Sequence, residues 1–346
     1  MTVFAAAALV LTSCGSSGSS SAIKACLALD TGGVDDKSFN ASAWSGAQAA
    51  AEENKDIEVK YLAAASDADY APNIKKLVDE KCNIIVGVGF LINGAIVEAA
   101  KANPEVHFAI VDQDGEDHGA DGSVYPGTKF DNLKPLQFST NESAFQAGYL
   151  AAGVSKTGKV ATYGGLNIPP VTIFMDGFAK GVAHYNTVKG TSVKVLGWDT
   201  AKADGTFVGG FSDSAKALQI SKNFEQQGAD VIFPVAGGLG GATAGNSMAS
   251  KKSNVIWVDT DGFVAAPQYA SVILSSVVKG VDTSVKAVIA DEAAGSFSAE
   301  GYFGNLANGG TYLAPYHDLE SLVPAALAEE ITALGEAIKS GEVSVK

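Results

Sequence analysis

Residues 27–44 read LALDTGGVDDKSFNASAW: a short apolar run ends at Asp30 and breaks into a turn holding Gly32, Gly33, Asp35, Asp36, Ser38, Phe39 and Asn40. An apolar strand that opens into a glycine-containing polar turn is the form of a first strand end in a parallel α/β sheet, where small molecules bind beyond the carboxyl edge. Gly32 and Gly33 admit backbone conformations that a Cβ forbids. Either Ser38 or Asp36 can cap a helix that begins near Asn40. What is left is one aromatic ring and several fixed polar groups, the parts needed to stack a flat heterocycle and bond its edges.

The same strand-then-helix rhythm continues outward from this turn. Helical spacing covers 43–54, 70–81 and 94–102, strands are expected at 57–62, 83–88 and 107–111, and the last of these ends in Asp112. The run IIVGV within 83–88 is continuously apolar, as a strand buried on both faces must be. A loop rich in Gly, Asp and Pro follows over 113–127, and 132–140 reads as a crossing to a second lobe.

There the alternation restarts, with helices over 142–154, 174–185 and 214–227, strands over 159–163, 193–198, 230–235 and 255–259, and loops at GGLNIPP and AGGLGGATAG. A helix is expected over 269–290, a strand-like segment near Tyr302, and a last helix over 324–340. Strictly alternating units imply parallel sheets with right-handed crossovers. The expected fold is therefore α/β, of the type I periplasmic-binding-protein kind: two doubly wound parallel-sheet lobes with a ligand cleft between them. Residues 22–137 with 266–298 are assigned to the N-terminal lobe, and 138–265 with 299–346 to the C-terminal lobe.

The 346 residues, 47% of them hydrophobic, suffice for two lobes with their own cores. Twenty-four basic residues against 38 acidic ones give a net charge of −14, and no basic stripe is present to follow a phosphate backbone, so nucleic acid is not an expected partner. Residues 4–11, FAAAALVL, are too few to span a bilayer, which takes about 20. Followed by Thr12, Ser13, Cys14 and a Gly/Ser tract, they read as a lipoprotein signal in which Cys14 of LTSC is lipidated and residues 15–21 form a flexible tether, although no basic residue precedes the apolar core. An ordinary apolar start with an incidental cysteine is the alternative. Cys26 and Cys82 fall near the starts of strands that neighbour each other in a doubly wound sheet. A disulfide and a pair of buried thiols both fit them. With four scattered histidines, no metal-ligand spacing appears, and neither a metal nor a cofactor is expected.

Among the predicted strand ends, three carry an acid directly after an apolar run: Asp30, Asp112 and Asp259. An acceptor-only carboxylate suits ligands that present paired hydroxyls or N–H groups, as ribose and purine edges do. Asp259, in VIWVDTDG, either accepts from vicinal hydroxyls with Asp261 and Lys279 nearby or caps a turn; Asp112 either accepts from a base N–H or caps a loop. Phe39 stands between Ser38 and Asn40 in a turn and is read as a stacking face in preference to core. Phe207, Phe211 and Phe174 are candidates for the opposite face.

One enzyme reading competes. Gly238, Gly240 and Thr243 approximate the GxGxxG of a dinucleotide fold with Asp259 about 20 residues on, but the third glycine is absent and the unit comes late in the chain. Nucleophilic hydrolysis lacks a GxSxG, and no carboxylate pair with glycosidase context is evident. A binding protein needs none of this chemistry.

The run DTGGVDDKSFNASAW closely resembles the signature of the basic membrane protein family, the PnrA-like purine-nucleoside-binding lipoproteins of ABC importers. The resemblance extends through GVGFLINGAI, FAIVDQD, ESAFQAGYLAA, GADVIFPVAGGLG and VDTDG with SVVKGVD, so it spans nearly the whole chain after the leader. It implies a non-enzymatic receptor, anchored by lipid to the extracytoplasmic face of a bacterial membrane, that acts as a monomer and delivers purine nucleosides to a permease and its ATPase. It implies base contacts from Asp30 or Asp36, Phe39, Asn40 and Asp112, a second-lobe aromatic best matched by Phe211, and ribose contacts from Asp259 or Asp261 with Lys279; Gly238, in the glycine run, is a further candidate ligand-binding residue. A receptor for a sugar or another small polar solute is the nearest alternative.

Overall fold

The computed structural model describes residues 22–118 and 127–345. Cys14, the segment over 1–21 and the middle of the loop over 113–127 lie outside the described residues.

The first lobe begins with β1 (Ile23–Leu29), α1 (Phe39–Glu53), β2 (Ile57–Ala63), α2 (Tyr70–Asp79), β3 (Ile84–Val88), α3 (Asn93–Ala102), β4 (His107–Val111) and β5 (Leu133–Phe138). Its strands lie parallel in the order β2-β1-β3-β4-β5. Period-2 alternation sends Leu27 and Leu29 to one face of the sheet, and Cys26 and Ala28 to the other, so each face builds its own core. The order reverses between β1 and β3, which places a crevice at their carboxyl ends, where the 27–44 stretch makes its turn.

The second lobe repeats the plan with α4 (Thr140–Val154), β6 (Lys159–Gly164), α5 (Pro169–Lys189), β7 (Lys194–Leu196), the small ribbon β8 (Trp198–Asp199) and β9 (Asp204–Gly205), α6 (Ser214–Gln226), β10 (Val231–Val235), α7 (Gly240–Ser250), β11 (Asn254–Asp259), α8 (Gly262–Ala265) and β12 (Ile273–Lys279). The chain then returns to the first lobe for α9 (Val281–Ala293) and β13 (Tyr302–Gly304), and ends in the second with β14 (Thr311–Leu313) and α10 (Ala325–Lys339). The second sheet runs β7-β6-β10-β11-β12-β14, parallel except for β14. Helices α4 and α5 touch backbone to backbone: a Cβ on Gly181 would lie 2.0 Å from the Phe145 carbonyl oxygen, so only glycine permits this approach.

Three expectations are corrected. The helix over 269–290 is a 3₁₀ turn at Pro267–Val272, then β12, then α9. All seven residues of ILSSVVK are buried, so the segment has no polar face of helical period and fills the sheet centre beside β11. The segment over 132–140 is largely a strand of the first sheet, β5, and the glycine-rich 236–245 is a 3₁₀ turn that feeds helix α7.

The lobe assignment shifts accordingly. β12 lies in the second sheet although 266–298 was given to the first lobe, and β13 pairs with β5 although 299–346 was given to the second. The chain passes between lobes near residues 139, 280 and 305–310, where Ser139 N–H donates to the Gly304 carbonyl at 2.7 Å and Gly280 N–H to the Gly310 carbonyl at 2.9 Å. A Cβ on Gly310 would sit 2.2 Å from Gly304 Cα, so the passing segments touch. Cys26 and Cys82 form a disulfide with Cα atoms 6.0 Å apart, which ties β1 to the turn before β3.

Candidate functional site

The carboxyl edges of the two sheets face each other across a cleft lined from both lobes. Asp30, Asp36, Phe39, Asn40 and Asp112 line it from the first lobe; Phe211, Gly238, Asp259 and Lys279 line it from the second. Asp261 is not brought there. Its carboxylate accepts from the Phe263 N–H at 3.1 Å, capping α8, and lies 2.8 Å from His317 Nε2.

The first-strand turn divides its work among neighbouring residues. Asp36 caps α1, accepting from the N–H groups of Ser38, Asn40 and Ala41 at 2.9, 2.9 and 3.0 Å. Ser38 is thereby free to reach the other lobe, where its Oγ lies 2.7 Å from Asp259 Oδ2 and 3.1 Å from the Val258 carbonyl oxygen. The Lys37 carbonyl receives Trp257 Nε1–H at 3.2 Å and the Thr260 hydroxyl at 2.8 Å. Gly238 completes this cross-lobe seam, since a Cβ there would lie 3.0 Å from the Asp36 carbonyl oxygen. Within the glycine run that mimics a dinucleotide turn, Gly238 therefore meets the opposing lobe. The lobes are shut.

Asp30 accepts from the Tyr70 hydroxyl and from Thr31 N–H at 2.6 Å. Burial outweighs those bonds and holds its carboxyl above the usual range, while burial and the Asp30 carboxylate push the Tyr70 hydroxyl far up. Gly89 must be glycine: φ is +125°, and a Cβ would lie 2.5 Å from Asp30 Oδ2. Asn40 Nδ2 donates at long range to the Asp30 and Thr31 carbonyls, whereas its buried Oδ1 has no partner among the described residues. A buried acceptor beside a cavity calls for a donor from within it.

Asp112 and Asp259 occupy matching strand ends in the two lobes, and both adopt left-handed backbone conformations, φ 72° and 68°. Such strain in a residue with a Cβ gathers at ligand sites. Lys279, at the end of β12, sits 2.5 Å from Asp112 Oδ2, with Nζ 4.9, 5.4 and 5.7 Å from the ring centres of Phe39, Phe138 and Phe174. Burial raises the Asp112 carboxyl despite this cation. Asp259 is pushed up to about 6, by burial first, against the pull of Lys279 and the Ser38 hydrogen bond.

Among the second-lobe aromatics, Phe211 and Phe174 line the cleft; Phe207 turns away to meet Trp198 edge-on at 6.4 Å. The Phe211 ring lies against Gly165, where a Cβ would strike it, and its Cβ comes within 4.0 Å of the position a Cβ on Gly32 would take. Sequence reasoning missed two supports: Tyr70, which carries no signal beyond an ordinary helix start, and the cross-lobe reach of Ser38, which reads as a helix cap. It also found no metal-ligand spacing. The structure brings donor atoms of Asp114, Glu116 and His118 within 4.8 Å of one another, but Glu116 is already engaged by Gly127 N–H and Lys129.

Two closed α/β lobes around a polar and aromatic cavity define a type I solute-binding protein. A solved ABC-transporter solute-binding protein from Aeropyrum pernix K1 superposes with a TM-score of 0.79 at 25% identity, over 93% of this chain and 92% of that one. The chain belongs to the Bmp family of PnrA-like ABC transporter substrate-binding proteins, whose model matches residues 23–345. It is similar to the ABC transporter nucleoside-binding protein BmpA of Lactococcus lactis, 32% identical over 84% of this chain and 81% of that protein. It also resembles a CD4+ T-cell-stimulating antigen of Listeria monocytogenes, 31% identical over 86% of this chain and 84% of that one.

Proposed function

We propose that the cleft captures a purine nucleoside and that the closed form hands it to an ABC permease and its ATPase. The observation that carries this reading is one cavity lined from both lobes by phenyl rings, Phe39 from the first and Phe211 and Phe174 from the second, together with carboxylates. Rings on opposite walls suit a flat heterocycle between them. The unpartnered Asn40 Oδ1, with Asp30 and Asp112, suits the N–H edge of a base; Asp259 and Lys279 suit ribose hydroxyls. Asp36 and Gly238 shape the seam that closes over it. The nucleoside named for the Lactococcus relative supports the same reading.

No helix among the described residues is long and apolar enough to cross a membrane. Attachment through a lipid on Cys14, at the extracytoplasmic face, is part of the proposal, as is action as a monomer without enzymatic turnover. Calorimetry with inosine, guanosine, adenosine, cytidine and ribose tests it. Purine nucleosides bind well above ribose if the rings stack on a base; equal binding of ribose would replace the nucleoside with a sugar.

A further inference from the structure

Among the described residues, the shut cleft is lined by four carboxyl groups, Asp30, Asp36, Asp112 and Asp259, against one cation, Lys279. Three of them have their own partners. Asp36 takes three backbone N–H groups, Asp30 takes the Tyr70 hydroxyl and the Thr31 N–H, and Asp112 takes Lys279. Asp259 receives one hydrogen bond among the described residues, from Ser38. It also feels Lys279 from the end of β12, Asp112 from the end of β4 and Asp36 from the turn before α1.

Ser38 has a single hydrogen, yet its Oγ lies within bonding reach of two acceptors, Asp259 Oδ2 and the Val258 carbonyl. A hydrogen on Asp259 Oδ2 would fill the gap, donating to Ser38 Oγ while Ser38 donates to Val258. Asp259 Oδ1 would remain free to accept from a solute.

We propose that closing the lobes takes up one proton from solvent at Asp259, and that Ser38, reaching from the opposite lobe, is the positioning residue that holds it there. This rests on reading the cleft as a site that closes on its solute. Opening separates Ser38 from Asp259 and returns the carboxylate to water, where its affinity for the proton is ordinary. Closure is therefore favoured as pH falls. Since burial carries the carboxyl up to about 6, the closed-to-open ratio gains at most about tenfold per pH unit between about 6 and about 4, or about a hundredfold in all.

Small-angle X-ray scattering of the full chain from pH 4.5 to 7.5, without solute and with inosine, measures the closed fraction. The wild type closes further as pH falls, Asp259→Asn shows no such slope, and Ser38→Ala, which keeps the carboxyl, shows a reduced one. A flat wild-type profile, or a slope that survives Asp259→Asn, overturns the proposal. A retained pH slope with no response to inosine upholds it and counts against the nucleoside alone.

Discussion

Lys279 Nζ and Asp112 Oδ2, 2.5 Å apart, join the end of β12 to the end of β4 across the cleft, with side chains only 3% and 8% exposed. Removing one member strands the other as a buried charge, which typically costs about 3–5 kcal/mol, whereas removing both as similar-sized neutral groups costs far less. Lys279→Met should therefore be strongly destabilised in urea unfolding, and Lys279→Met with Asp112→Asn should recover most of the loss. Additive effects of the two changes would show that the pair does not act as a unit.

Phe39 sits beneath that cation and walls the cavity from the first lobe. Stacking of a base on an aromatic ring is worth about 1–3 kcal/mol, so Phe39→Ala should weaken inosine binding by roughly 5- to 150-fold in calorimetry while leaving the fold intact. Phe207→Ala should leave affinity unchanged, because that ring packs on Trp198. Equal losses at both positions would contradict the stacking wall.

Burial raises the carboxyls of Asp30, Asp36, Asp112 and Asp259 above their usual range. An acid raised in the folded state binds its proton more tightly there than when unfolded, so its unfavourable contribution is absent below about pH 4 and grows as pH rises towards the folded value. For Asp259, at about 6, the penalty is complete above pH 7. Asp259→Asn should thus raise unfolding free energy by about 1–3 kcal/mol at pH 7 and change it little at pH 4. The same gain at both pH values would show that the carboxyl is not the cause.

The Cys26–Cys82 disulfide closes a loop of 56 residues. Constraining an unfolded loop of that length is worth about 4 kcal/mol in the chain-entropy model, and measured values commonly run about 2–4. Replacing both cysteines with serine should lower the denaturation midpoint accordingly. A midpoint unmoved by the double change would mean that the bond adds nothing to folding.

By itself the sequence determined the class of fold and most of the cleft. Strand ends are legible because an apolar run that stops at Asp30, Asp112 or Asp259 has no other local meaning in an alternating chain, and a parallel sheet gathers such ends on one edge. What the tertiary structure decided is whatever depends on the second lobe meeting the first. ILSSVVK is apolar enough to continue a helix, and only the place between β11 and β14 makes it a strand that delivers Lys279 to the cleft. Local spacing could not choose between Asp259 and Asp261, nor show that Ser38 leaves its cap to Asp36 and crosses 221 positions of chain to a carboxylate. Periodicity records which face of a segment is buried; it carries no trace of the partner that buries it, and across a hinge that partner lies on another domain.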